Sequence, residues 1–305
     1  MTNYPKVSVV TITYGHENYI TQTIDGVLMQ DYLGEIELII ANDHSPDSTD
    51  KVIKEYLAVQ NIPTNFNIKY TRHEKNKGMM PNFMWALEQA SGKYIALCEG
   101  DDYWTNPQKL QKQVGFLEGN TKYSMVFSNA KVIVECDEIT NNSRGLKVLE
   151  ESREYTSLNI VTNWLIPTAS VVFRTIALTA KHINNLRNKN FMVGDVVLFL
   201  SLAENGKLYG MKDYFVLYRR HSAGATNFQL TIDTDKKAGK HYLEIIKVFG
   251  EKFKKPLSTH IGRVFLSQAL YALKNKDVSG FLRAGFYVLT YKPNIIINYL
   301  QKKYK

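Results

Sequence analysis

Two cysteines, Cys98 and Cys136, are all that 305 residues hold. That excludes a disulfide-stapled secreted scaffold, and with Cys98 inside an apolar run both are expected as reduced thiols in the cytosol. Long hydrophobic stretches are missing as well: runs such as Phe286 to Leu289 and Ile295 to Ile297 fall far short of the roughly 18 residues a membrane span needs. The opening MTNYPKVSVVTIT has no basic leader, apolar core or cleavage site, so export is not expected. Glycine-rich phosphate cradles are absent too. No G-x-G-x-x-G follows the first strand-like run and no G-x-x-x-x-G-K-[ST] occurs, which excludes the usual dinucleotide and P-loop modes of holding a nucleotide.

Acidic residues are scarce in one region only. Lys236 to Lys305 carries 15 Lys and Arg against 3 acids, a net +12 in a chain of net +9, so the other 235 residues sum to −3. Such a tail suits nucleic acid, an anionic membrane surface or a wet helical face. Nucleic acid is the poorest fit, because no RRM, KH or helix-turn-helix pattern accompanies the charge and the acidic groups described below would repel a polyanion. A peripheral membrane contact through these C-terminal residues, at the inner face of the membrane, is the expectation set against simple helix packing.

What is present is a large core, at 44% hydrophobic residues, and an alternation of patterns. Lys6 to Thr13 is a β-branched run, Tyr19 to Gln30 has helical spacing, and Ile36 to Ala41 is a second strand. A helix over Ser45 to Val59, a strand over Asn67 to Arg72, a helix over Pro81 to Ala90 and a strand over Lys93 to Cys98 complete the first part. A further strand is expected over Tyr214 to Tyr218, and helices from His241 onward with breaks at Gly250, Pro256 and Pro293. Strand, helix, strand in this order means a parallel sheet covered by helices, with ligands bound outside the carboxyl ends of the strands.

That rule brings Thr13 and Tyr14, Asn42 and Asp43, and Glu99, Asp101 and Asp102 to one rim. Three carboxylates within LCEGDDYW repel one another unless something offsets the charge. Oxygen ligands at Asp101 and Asp102 suit Mg2+ or Mn2+ bridging phosphate oxygens. Acidic turn chemistry before the helix near Pro107 is the competing explanation.

The runs VSVVTITYGHENYITQTIDGVLMQ, ELIIANDHSPDSTDKVI and GMMPNFMWALEQASGKYIALCEGDDYW resemble the family 2 glycosyltransferases, nucleotide-sugar enzymes of the GT-A fold. The resemblance resumes at Asn163 to Thr175 and at Val193 to Ala225. Two positions depart from it: Asn42 and Glu99 stand where the family commonly has aspartates.

The resemblance implies an α/β protein with a Rossmann-like, mostly parallel sheet flanked by helices and a C-terminal helical extension. It implies a catalytic domain over residues 1–230, with a nucleotide-binding half (1–120) and an acceptor half (121–230), and a basic amphipathic region over 231–305. By position, Asp43 matches the aspartate that accepts uracil N3–H, Thr13 and Tyr14 line the base and ribose, and Gly78, Asn82 and Asp101 extend the nucleotide site. Cytosine lacks that N3–H, so a UDP-sugar donor is implied. Asp101, Asp102 and His221 are implied for the cation, and Arg219, Arg220 and Glu99 for the diphosphate or acceptor. Asp195 matches the catalytic base of an inverting hexosyl transfer to a hydroxyl of a glycan or lipid-linked glycan, as in bacterial surface polysaccharide synthesis. Two other classes remain beside this one, an inactive scaffold of the same fold and a basic nucleic-acid-binding protein. His16, His44 and His182 show no ligand spacing.

Overall fold

The computed structural model describes residues 4–134, 138–140, 146–163, 165–221, 224 and 231–303. Cys136 lies outside them, whereas Cys98 is a buried free thiol. Contacts divide the chain into two units, Met1–Arg187 with Leu198–Ser222, and Asn188–Val197 with Ala223–Lys305. The resemblance places the domain boundary after residue 230; by contact, the short segment 188–197 groups with the C-terminal helices.

The first unit is built on one sheet. Its strands are β1 (Val7–Thr13), β2 (Ile36–Asn42), β3 (Phe66–Arg72), β4 (Tyr94–Leu97), β5 (Tyr103–Trp104), β6 (Tyr123–Val134), β7 (Glu138–Thr140), β8 (Arg153–Tyr155), β9 (Val172–Arg174) and β10 (Lys207–Arg220). The order is β3-β2-β1-β4-β9-β6-β10-β5, with β7 on β6 and β8 on β10. Strands β3, β2, β1 and β4 run parallel, as expected from the alternating first part. Beyond β4 the sheet is mixed: β9 is antiparallel to both β4 and β6, while β10 runs parallel to β6. β1, β2 and β4 are almost wholly buried, which is why they read as continuous apolar runs and not as alternating ones.

Helices α1 (Ile20–Leu28), α2 (Thr49–Val59), α3 (Met79–Glu88), α4 (Lys109–Gly119), α5 (Ser157–Thr162) and α6 (Ala180–Leu186) belong to this unit, and α7 (Gly194–Glu204) crosses the division. α2 begins four residues later than Ser45, because the Ser45 N–H and hydroxyl both donate to Asn42 Oδ1 and close a turn instead. Pro81 sits in the first turn of α3, where a missing N–H costs nothing.

The amino ends of β1, β2 and the turn before β4 are fastened by one buried carboxylate. Glu37 accepts from Ser8 Oγ (2.6 Å), Ser91 N (2.9 Å) and Lys69 Nζ (2.6 Å). Burial alone would raise its pKa, but the hydrogen bonds from Lys69, Ser8 and Ser91 outweigh it and hold the group at about 2, below its ordinary 4.5. A depressed folded value adds stability that is complete above the unfolded pKa and is lost as pH falls from 4.5 toward 2. Glu37→Gln is therefore expected to lower unfolding free energy at neutral pH by about 3 kcal/mol. It should also flatten the acid limb of stability; urea melts across that interval check this, and an acid limb equal to the wild type's would refute it.

The second unit is helical: α8 (Ile232–Phe249), α9 (Lys254–Lys274), α10 (Val278–Tyr291) and α11 (Asn294–Lys303). α8, α10 and α11 each pack on α9. Segment 188–197 is tied to α8, since Met192 N donates to His241 Nδ1 (3.3 Å) and Asn188 Nδ2 to Glu244 Oε1 (2.9 Å). Gly250 does break the chain, at φ 106°, but Pro256 does not. It lies in the first turn of α9, and the next break falls at Lys276, in a left-handed conformation at φ 58°. Among the described residues no helix is long and apolar enough to cross a membrane.

Candidate active site

The carboxyl ends of β1, β2 and β4 present the expected segments. Thr13 is the last residue of β1 and buried, Tyr14 beyond it is half exposed, and Asp43 N donates to Thr13 O (3.0 Å) to hold the first two segments together. Asp43 is buried, and its Oδ1 and Oδ2 accept the backbone N–H of Lys77 (2.7 Å) and Gly78 (2.8 Å). It thus fixes the loop leading into α3. Gly78, at φ 91°, adopts a backbone that a side chain would strain. Each Asp43 oxygen keeps a lone pair for a further donor. Asn82 is buried with both ends of its amide engaged, donating to Ala41 O (2.9 Å) and accepting from His73 Nε2 (2.9 Å).

The departure at Asn42 has a local reason. Its Nδ2 donates to Tyr70 Oη (3.0 Å), and Tyr70 gives its proton to Asp50 Oδ1 (2.6 Å). Burial and the bonded Asp50 push the phenol's pKa up, so it keeps that proton. A carboxylate at position 42 would face an oxygen with no hydrogen to offer.

The two aspartates after β4 have different surroundings. Asp101 Oδ2 accepts from His221 Nε2 (3.0 Å), and His16 Nε2 stands 3.8 Å away. Burial would raise the Asp101 pKa, but the His221 hydrogen bond and the two imidazoles outweigh it and hold the carboxyl low. Asp102 is buried deeper, and its Oδ1 accepts the backbone N–H of Arg219 (2.7 Å). Burial first, and then the charges of Asp101 and Glu99, push its pKa well above the usual range. The carboxylates of LCEGDDYW are thereby set in different surroundings: Asp101 is paired with His221, and Asp102 is buried against the Arg219 backbone.

His16, Asp101 and His221 each offer a ligand atom within 4.8 Å of the other two. Two ligands held at about 2.1 Å from one ion lie about 3 to 4.2 Å apart, so small rotations fit this trio to a divalent cation. Thr13 Oγ1 lies 3.2 Å from His16 Nδ1 and supports that ring from behind. Gly100 leaves room for the arrangement. A Cβ there would meet Thr13 Oγ1 at 2.7 Å and His16 Nδ1 at 2.9 Å. Asp102 is outside the trio and His16 inside it, whereas the family resemblance implies Asp101, Asp102 and His221 for the cation. Only the position of His16, three residues past Thr13 at a strand end, pointed to the rim.

Arg219 braces the cluster. Its guanidinium lies 4.5 Å over the Tyr19 ring and donates to Asp101 O (2.9 Å) through Nε, while the Tyr19 ring stands 4.9 Å from that of His221. Arg220 is half-buried at the last position of β10. Glu99 is half-buried, two residues past the end of β4. Asp195, the second residue of α7, belongs to the second unit; its Oδ1 accepts the first-turn N–H of Val196 (2.6 Å), so it serves the helix start from within the helix.

A parallel half-sheet with a ligand rim at its strand ends, continued by a mixed half and flanked by helices, is the arrangement of the GT-A class of fold. The chain belongs to glycosyl transferase family 2, whose family model matches residues 8–179, more than half of its length. It is 34% identical over 218 residues to an uncharacterized protein of Mycobacterium tuberculosis, covering 72% of this chain and 60% of that protein's length. It is 29% identical over 221 residues to TuaG of Bacillus subtilis, named as a glycosyltransferase of teichuronic acid biosynthesis, covering 72% of this chain and 81% of that one. In fold it is similar to Staphylococcus aureus TarS 1-349, solved in complex with UDP-GlcNAc, at a TM-score of 0.63 and 19% identity over 92% of this chain and 90% of that chain.

Proposed function

We infer that this chain transfers a sugar from a UDP-sugar to a hydroxyl of a glycan or lipid-linked glycan, with inversion and with help from a divalent cation. The observation that carries the reading is the meeting of His16, Asp101 and His221 within 4.8 Å on the rim where Thr13 and Asp43 also end. UDP-GlcNAc bound by a protein of the same fold and the teichuronic acid role in TuaG's name support a UDP-sugar and a surface polysaccharide.

Within this reading, Thr13 and Tyr14 hold the base and ribose, and Asp43 accepts the uracil N3–H on a remaining lone pair. His16, Asp101 and His221 are assigned as ligands, and two imidazoles with one carboxylate favour Mn2+ over Mg2+. The cation, when bound, supplies positive charge that offsets the diphosphate's. Asp195 takes the proton of the acceptor hydroxyl as its oxygen bonds to the anomeric carbon. The bond from that carbon to the diphosphate oxygen breaks, and its electron pair leaves with UDP. Arg220 and Arg219 add positive charge near the departing group, and Asn82 and Gly78 shape the loop beneath it.

Calorimetry of UDP binding with Mn2+ and with chelator tests this. Binding that requires Mn2+ is the expected result; UDP binding absent in both conditions would overturn the reading. A screen of UDP-sugars for Mn2+-dependent hydrolysis then identifies the donor.

A further inference from the structure

α10 carries an apolar stripe that the other described residues leave uncovered. Val278, Leu282, Phe286 and Leu289 are 70%, 65%, 64% and 63% exposed. At 3.6 residues per turn these four positions fall within about 80° of arc, a single face of the helix. The opposite face is the packed one: Ala284 and Val288 are buried, and the Tyr287 ring stacks on Phe265 of α9 at 4.3 Å. α10 is therefore held by its inner side and offers a second hydrophobic side to its surroundings. α11 adds Ile297 and Leu300, exposed and nearly one turn apart. A continuous apolar face of this kind on a charged protein marks an interaction surface.

The charge of this part of the chain selects the occupant. From Lys252 to Lys305 the sequence has eleven Lys and Arg and one acid, Asp277, whose carboxylate is engaged in capping α10 through Gly280 N (2.8 Å). A second copy of this chain would bring the same excess of positive charge against it, and association through this face would be opposed. An anionic lipid surface answers both features at once, taking the apolar side chains among its acyl chains and the cations among its headgroups. Among the described residues no helix is long and apolar enough to cross a bilayer, so the contact lies in the interface.

We propose that the outer face of α10, through Val278, Leu282, Phe286 and Leu289, docks the protein on anionic lipid bilayers. This gives the membrane contact expected from the sequence a definite surface and a lipid charge, and it stands on the helical unit alone, independent of the donor assignment. The full chain is expected to sediment with vesicles of phosphatidylcholine mixed with phosphatidylglycerol, weakly with phosphatidylcholine alone, and less as salt is raised. Leu282→Asp with Phe286→Asp should weaken the anionic partition by about tenfold or more. Both sites are exposed, so the helix content seen by circular dichroism and Mn2+-dependent UDP binding should remain as in the wild type.

Three results would overturn the proposal: no sedimentation with anionic vesicles, equal partition of the double variant, or a concentration-dependent dimer that the double variant abolishes. The last would assign the stripe to a second copy. Lost UDP binding in the wild type would count against the transferase reading and leave the docking face untouched.

Discussion

Asp195→Asn is expected to reduce sugar transfer by about 10²- to 10⁴-fold, the usual contribution of a positioned general base. UDP affinity should stay nearly unchanged, because the amide keeps the carboxylate's shape and still accepts the Val196 N–H at the start of α7. The loss should fall on kcat, since the proton is taken only as the acceptor oxygen attacks. Transfer rates and UDP calorimetry on one preparation check both halves. Appreciable turnover in the variant would move the base elsewhere, and an equal loss of UDP binding would show that the residue serves the fold instead.

Asp101→Asn should weaken Mn2+-supported UDP binding by about 100-fold or more, because it removes the anionic member of the trio with His16 and His221. His16→Gln and His221→Gln should each weaken it as well, His221→Gln also loosening the hydrogen bond that holds Asp101. Asp102→Asn is the discriminating control. Its carboxyl lies outside the trio, and burial and the neighbouring Asp101 and Glu99 charges push its pKa up, so a neutral amide should leave Mn2+ dependence close to wild type. Calorimetry with Mn2+ and with chelator reads all four. Strong loss in Asp102→Asn with none in His16→Gln would return the ligand role to the adjacent aspartates.

Strands β1 and β2 were legible because each is a buried, largely β-branched run, and a segment that must be apolar on both faces leaves a plain mark. From those strands the rim followed, since strand ends in such sheets gather the ligand-binding loops. Helix starts were less legible. Ser45 has the composition of a cap but is used by Asn42, and Pro256 reads as a break but occupies a first turn where proline is tolerated. Local composition is shared by both outcomes, and longer-range partners choose between them.

The sequence by itself determined the sheet's first half, the family, the carboxylates at the strand ends and the basic, acid-poor C-terminal region. All of these depend on residue type and on short-range order. Tertiary structure alone decided which aspartate is paired with a histidine and which is buried against a backbone N–H, because that depends on Arg219 and His221 arriving from more than a hundred residues away. It decided that His16 joins Asp101, and that Lys109 is fully buried 4.1 Å over the Trp104 ring, its ammonium pulled down to about 7 by burial. It decided too which side of α10 stays uncovered. Burial, and the charges that burial brings together, are properties of the packed chain, and no window of sequence contains them.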